Sequence, residues 1–342
     1  MSEFTLLFRG QSNSSLKTLA SARQRPGPNG DAHCSAAGGG PMDPRMTLRA
    51  WLAFTALAVV WGLPYLLIKV ALGGIAPLEV AWWELTIGAV VLMPLARARG
   101  ALADVRPHWK PIGALALLQL AVPSSLIPIS EQWIRSSLAG VLAATAPLLI
   151  ALLGPLFGTQ ERFGAQRIAG LLIGFVGVVV LLGFDAPQGA QWIGLACMLL
   201  AALAYALAPL VIQRYLHGAD GLGPSAVSLT IASLLLCPAG LRFLPRSLPS
   251  GHAIACLVAL GAVCTASGML LYFLLIKEAG AARAGVVKYL SPVVAALLGA
   301  MVLGEAFPFS SIVGMILILS GSWFATRVGA SHGKLQPEST NE

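Results

Sequence analysis

SSLAGVLAATAPLLIALLG, residues 136–154, and AARAGVVKYLSPVVAALLG, residues 281–299, are two copies of one pattern. Ala139-Gly140-Val141 falls on Ala284-Gly285-Val286, Pro147 on Pro292, and Leu152-Leu153-Gly154 on Leu297-Leu298-Gly299, all at an offset of 145. One residue of slippage later, Glu161 meets Glu305, Ile168 meets Ile312, Gly170 meets Gly314 and Gly177 meets Gly321. The first apolar run of the chain lines up more weakly with the sixth, Trp61-Gly62 against Tyr205-Ala206 and Ile68 against Ile212. A unit of five apolar runs is therefore present twice.

The solvent of this unit follows from composition. Hydrophobic residues make up 57% of the 342, charged residues 11%, and mean hydropathy is +0.79, too apolar for a water-soluble globule. Ten runs are long enough as helix to cross a hydrocarbon layer of about 30 Å. They lie near 48–70, 77–95, 112–130, 137–157, 168–184, 191–213, 224–241, 253–276, 282–303 and 309–326. Only helices and closed barrels satisfy their backbone polar groups in lipid, and continuous runs lack the alternation of barrel strands. An odd number of crossings ends on the other side of the membrane, so the second copy of a five-helix unit is inverted. The expected architecture is an all-α integral membrane protein, ten transmembrane helices in two inverted five-helix repeats, residues 46–184 and 190–327. A disordered extension is expected over 1–45 and a tail over 328–342.

The extension is rich in Ser, Gly, Pro and Arg and cannot build a core. A start codon placed too early, with Met42 or Met46 as the alternatives, or an organellar address would also account for it. The net charge of +8 does not point to nucleic acid, because the basic residues sit in short loops beside apolar runs. With the N-terminus inside, thirteen basic residues between Arg45 and Lys334 flank the inner ends of the runs, against Arg135, Arg242 and Arg246 outside. The positive-inside rule then places both termini inside, in the cytoplasm, and the expected membrane is a plasma (inner) membrane. The five cysteines form no CxxC pair and read as small apolar fillers; the five histidines are scattered, so no metal site and no cofactor are expected.

YLSPVVAALLGAMVLGE, residues 289–305, followed by IVGMILILSGSWF, 312–324, resembles the EamA-type branch of the drug/metabolite transporter superfamily. The first copy, with Glu161 and then RIAGLLIGFVGVVVLLG, carries the same signature, as does AVVWGLPYLLIK at 58–69. The resemblance covers about residues 46–327. It implies ten helices in two inverted halves, transport of small metabolites, often outward, and a cavity walled by all helices except the fifth and tenth. Members commonly carry an Arg in the second helix, roughly where this chain reads WWELTIG, so Glu84 stands in place of a cation.

The chemistry-bearing residues are few. Glu79 falls in the first turn of the second run, where the helix dipole and water both suit a carboxylate. Glu84 lies about 7 to 8 Å deeper by helical rise. Facing lipid it would be costly, so it either stays protonated or snorkels within the bundle, or it serves as a proton or cationic-substrate site. Lys288, in the ninth run, either snorkels or reaches Glu84 across roughly 10 Å as an ion pair. Glu131 and Arg135, at the turn between the third and fourth runs, are surface charges or an outer gate. Trp61, Tyr65, Trp82, Trp83, Tyr205, Tyr272 and Tyr289 are interfacial anchors or cavity walls, with Trp61 and Tyr205, which correspond in the repeat, favoured as walls. Pro147 and Pro292 are the symmetric hinge candidates. Glu161 and Glu305 cap helix ends or pair as gates, and the glycines from Gly170 to Gly177 with Gly314 and Gly321 allow close helix approach.

The expected function is secondary transport, in the export direction, of a small metabolite, amino acid or amphiphile by alternating access, with protons as the candidate coupling ion. Its partners are a small-molecule substrate and membrane lipid, and a monomer and a homodimer are both open. No Ser/Lys, Asp/Asp or HExxH constellation supports an intramembrane enzyme, and no GxxxxGK loop supports ATP-driven transport. A non-transporting scaffold is the remaining rival.

Overall fold

The structure, a computed structural model, describes residues 47–157, 164–183, 189–215, 221–243, 248–279, 284–306 and 308–327. The expectations for residues 1–45, for residues 328–342 and for Glu161 lie outside the described residues. All regular structure among the described residues is helical. The first half holds α1 (Leu48–Ala71), α2 (Pro77–Ala98), α3 (Trp109–Glu131), α4 (Ser136–Phe157) and α5 (Ala165–Gly183). The second holds α6 (Gln191–Tyr215), α7 (Leu222–Arg242), α8 (Gly251–Val258, Ala259–Ser267 and Gly268–Ala279 in succession), α9 (Val287–Leu303) and α10 (Phe309–Arg327).

Seven of these helices, α1 to α4 and α6 to α8, are long and apolar enough to cross a membrane. The apolar stretches of α5, α9 and α10 are shorter. Helix starts follow local chemistry. Thr47 Oγ1 accepts from the Ala50 amide at 3.1 Å, Ser250 Oγ from the Ala253 amide at 3.2 Å, and Pro77 opens α2 where no amide is needed. Outward faces are apolar, as with Leu172, Phe175 and Val179 on α5 and Ile316 on α10, the pattern of a helix facing lipid rather than water.

Packing follows the repeat. α1 lies on α9 and α6 on α4; α1 also packs on α8 and α6 on α3; α2 on α8 matches α7 on α3; and α2–α7, α4–α9 and α5–α10 pair corresponding helices. Every one of these pairs maps onto another, or onto itself, when the halves are exchanged. Small residues make the approaches possible. A β-carbon on Gly62 of α1 would stand 2.6 Å from Val294 Cβ of α9, and one on Gly140 of α4 2.5 Å from Ala295 Cβ. Between α5 and α10 the backbones themselves touch: at Gly321 a β-carbon would stand 2.4 Å from the amide nitrogen of Gly174 and 2.6 Å from the carbonyl of Gly170.

The two halves are also tied by a cap supplied in trans. Gly304 ends α9 in the left-handed conformation, φ 63°, and this reversal sends Glu305 back across the start of α4. Its Oε1 accepts from the Ser136 amide at 2.8 Å and the Ser136 hydroxyl at 2.9 Å, while Oε2 accepts from the Ser137 amide at 2.9 Å. A carboxylate at a helix N-terminus meets unpaired amides and the positive end of the dipole. Burial pushes the Glu305 carboxyl up, but the hydrogen bonds from Ser137 and Ser136 outweigh it and hold it below the usual range.

Two outcomes follow. Gly321→Ala should cost about 1–3 kcal/mol by overpacking against backbone that cannot yield, and lower the thermal unfolding midpoint in detergent, whereas Gly74→Ala, with nothing within 4 Å of its β-carbon, should leave it unchanged. Because the folded-state pKa of Glu305 is depressed, its stabilising contribution is fully present above the ordinary glutamate range and is lost as pH falls from that range through the lower folded-state value. Unfolding midpoints of the wild type and Glu305→Gln should therefore differ at neutral pH and converge in acid; a gap that stays constant with pH would exclude this cap as an ionised carboxylate.

Candidate functional site

Glu84 sits about two turns into α2, on the face that packs against α8. Gly261 of α8 allows that contact, since a β-carbon there would stand 2.6 Å from Ile87 Cβ and 2.8 Å from the Glu84 carbonyl. Within α8 the segment Ala259–Ser267 is wound as π-helix, and Thr265 in it donates from Oγ1 to Glu84 Oε1 at 2.9 Å. The Ser124 hydroxyl of α3 is a second hydrogen-bond partner of the same carboxyl, and α3 has its own π-helical segment, Ala116–Ala121, just before it. Shifted by the repeat offset of 145, residues 116–121 become 261–266, so the π turns occupy corresponding places in the two halves. A π turn adds a residue to the helix and re-aims the side chains around it, and such turns concentrate at functional sites. Glu84 is thus held from both halves, by Ser124 of the first and Thr265 of the second.

Tyr65 of α1, Tyr205 of α6 and Lys288 of α9 are, like Glu84 itself, half-buried. Tyr205 is in electrostatic range of Glu84, and Tyr65 of Tyr205 and of Glu131. Trp61 stacks obliquely on Tyr272 with centroids 5.1 Å apart, over Gly268, where a β-carbon would stand 2.7 Å from the indole nitrogen. The structure therefore brings Glu84 and Tyr205 together and adds Tyr65, which lies against Gly140 at 3.4 Å from where its β-carbon would be. Among the described residues no ion pair joins Glu84 to Lys288. Lys288 rides on α9, whose neighbours are α1 and α4, whereas α2 packs on α3, α7 and α8.

At the end where α3 turns into α4, the two gate candidates part company. Arg135 is half-buried and donates from Nη1 to the Ala306 carbonyl at 2.6 Å, linking this turn to the α9–α10 connection. Glu131 is not a surface charge: it is 0% exposed, and neither carboxylate oxygen has a hydrogen-bond partner. Beside it stands Lys69, from the last turn of α1, whose ammonium donates to the main-chain carbonyls of Glu131 and of Ile134, the latter at 2.8 Å. Sequence reasoning passed over Lys69, although a cation at that end of α1 goes against the positive-inside pattern and was a usable signal. At the opposite end of α1, Arg49 pairs with Glu278 at 3.1 Å.

Glu79 also departs from expectation. It is 2% exposed rather than in water; the Ala76 amide and the Trp83 indole of its own helix reach it, and its Oε2 has no hydrogen-bond partner. That amide, at the N-cap, is the one a glutamate three residues into a helix reaches back to. The hinge candidates are unequal. α4 is broken after Ala143 and restarts at Ala146 with Pro147 in its first turn, while Pro292 lies inside an unbroken α9. Thr145 supports the break by donating from Oγ1 to the Leu142 carbonyl at 2.7 Å, and the corresponding residue in α9 is Leu290, which has no hydroxyl.

Comparison with known proteins agrees with this arrangement. The model of the EamA-like transporter family matches the chain twice, over residues 48–183 and 192–327. An uncharacterized transporter of Archaeoglobus fulgidus is 25% identical over 287 residues, 82% of this chain and 99% of its own length. The uncharacterized inner membrane transporter YedA of Escherichia coli K12 is 29% identical over 271 residues, 76% of this chain and 85% of that protein. A solved crystal structure superimposes with a TM-score of 0.59 at 25% identity, covering 81% of this chain and 96% of that one. With two family domains filling most of an all-helical, membrane-compatible bundle, the chain belongs to the EamA-like transporter family and is an integral membrane transporter.

Proposed function

We propose that the protein is a secondary transporter that exports a small metabolite or amphiphile by alternating access, coupled to protons through Glu84. The observation that carries this reading is the seat of Glu84: a carboxyl deep in an apolar bundle, hydrogen-bonded by one half through Ser124 and by the other through Thr265. A group held by both halves feels their relative displacement. When the halves move, the carboxyl gains or loses donors, and its hold on a proton changes with them. Proton binding and release would then accompany exchange of the pocket between the two sides.

The unequal proline helices support the same cycle. One sequence pattern is broken at Pro147 and continuous through Pro292, so the two shapes that alternating access would interchange are both present in one conformation. In this reading all ten helices cross the membrane, α5, α9 and α10 included, the halves are inverted, and both termini lie in the cytoplasm of a plasma (inner) membrane. Monomer and homodimer both satisfy it.

Reconstituted in liposomes and offered candidate solutes under an imposed pH gradient, the wild type should show gradient-driven flux. Glu84→Gln, which keeps an acceptor for Thr265 but cannot ionise, should lose at least tenfold of the gradient stimulation while folding normally. Equal flux in both proteins at every pH would remove Glu84 from the coupling.

A further inference from the structure

The pocket chemistry leaves one buried acid unused. Glu131 has no exposed surface and no donor on either carboxylate oxygen. The charged and titratable groups on the elements packed around it are all placed. α1 brings Lys69 and Tyr65; α6 brings Tyr205; α2 brings Glu84 beyond the tyrosines and Glu79, which bonds within its own helix and keeps Oε2 unpartnered; the α9–α10 connection brings Glu305. Arg135 follows Glu131 in its own turn and is engaged with the Ala306 carbonyl.

None of these donates to Glu131. The ammonium of Lys69 is close enough to act on the carboxyl electrostatically, but its hydrogen bonds go to the carbonyls of Glu131 and Ile134. Both oxygens of Glu305 are filled by Ser136 and Ser137, so that neighbour contributes like charge and no proton. Burying an ionised carboxylate without any donor costs several kcal/mol, far more than burying the neutral acid. A lysine that prefers two neutral carbonyls to an adjacent carboxyl is the arrangement expected when that carboxyl carries no charge.

We propose that Glu131 is a second proton-binding site, occupied in this conformation, whose occupancy decides where Lys69 bonds. With the proton on, Lys69 holds the last carbonyls of α3 and the following turn, and so ties α1 to the α3–α4 turn. When the proton leaves to water, Glu131 becomes a carboxylate and Lys69 transfers its hydrogen bonds from the carbonyls to it; α1 stays bonded to the end of α3, while its hold on the Ile134 carbonyl in the α3–α4 turn is released. No other bond changes and no other reactant is needed. The site lies beyond Tyr65 and Tyr205 from Glu84, and in the transport reading it makes the hold of α1 on the α3–α4 turn depend on protons. The inference rests on the transport reading only for this last consequence, because the proton itself can be observed without any substrate.

The test is infrared spectroscopy of the full chain, purified in detergent at neutral pH, comparing wild type, Glu131→Gln and Glu84→Gln. A protonated carboxyl absorbs apart from a carboxylate. The expected result is a protonated-carboxyl component that disappears in Glu131→Gln, persists in Glu84→Gln and fades in the wild type as pH is raised. A spectrum unchanged in Glu131→Gln would overturn the proposal whatever the flux assay says about Glu84. Stability gives a second arm. A neutral amide replacing a neutral acid should shift the unfolding midpoint by no more than a few degrees, and a collapse of the fold in Glu131→Gln would indicate an ionised partner of Lys69 instead. If that variant cannot be purified, Lys69→Gln decides: a neutral Glu131 tolerates loss of the ammonium, an ionised one does not.

Discussion

A carboxyl group two turns inside an apolar helix must receive its hydrogen bonds from other helices, and the requirement at Glu84 organises its neighbours. Thr265 can reach it because Gly261 lets α8 come to within contact of α2, and because α8 is π-wound across that contact. Ser124 reaches it just after the matching π segment of α3. Close approach and local unwinding are ordinarily opposed, since tight packing favours regular helix. Here they occur together in both halves, at places that correspond by the repeat.

The same balance governs the bundle at larger scale. Lipid offers no hydrophobic gain to helices that already face apolar surroundings, so their association depends on contact area and on polar groups finding partners. Glycine against backbone secures α5 to α10, and glycine against side chain secures α1 and α4 to α9. The polar contacts are sparse and placed at the seams: Thr86 with Ser233 at 2.7 Å between α2 and α7, Ser228 to the Ile112 carbonyl at 3.2 Å between α7 and α3, and Glu305 over the start of α4.

What could be read from the sequence divides along physical lines. The apolar runs, the duplication and the close-packing glycines are legible because they are periodic or because they repeat at a fixed offset. Glu84 and Tyr205 stand out as a titratable or hydroxyl-bearing group within an apolar run. The π segments leave no such mark, because ALLQLA and ALGAVCTAS are as apolar as the helix on either side. Burial of Glu131 and the direction of Lys69 depend on which helix lies opposite, and residues 62 and 65 positions away in the chain supply that answer. Glu79 was misjudged for the related reason that a first-turn position gives height along the helix, while exposure is set by what packs beside it. Pro147 and Pro292 look equivalent until Thr145 and Leu290 are compared, and the difference of one hydroxyl is easily missed in a match scored on the proline.

That hydroxyl has an evolutionary reading. After a duplication the two copies begin as interchangeable parts, and a machine made of interchangeable parts has no preferred resting side. One copy now carries a threonine whose hydroxyl closes on the chain beside the break and the other a leucine that cannot, so the copies are no longer interchangeable at this position, and a single exchange of side chain is the smallest change that would make them alike again.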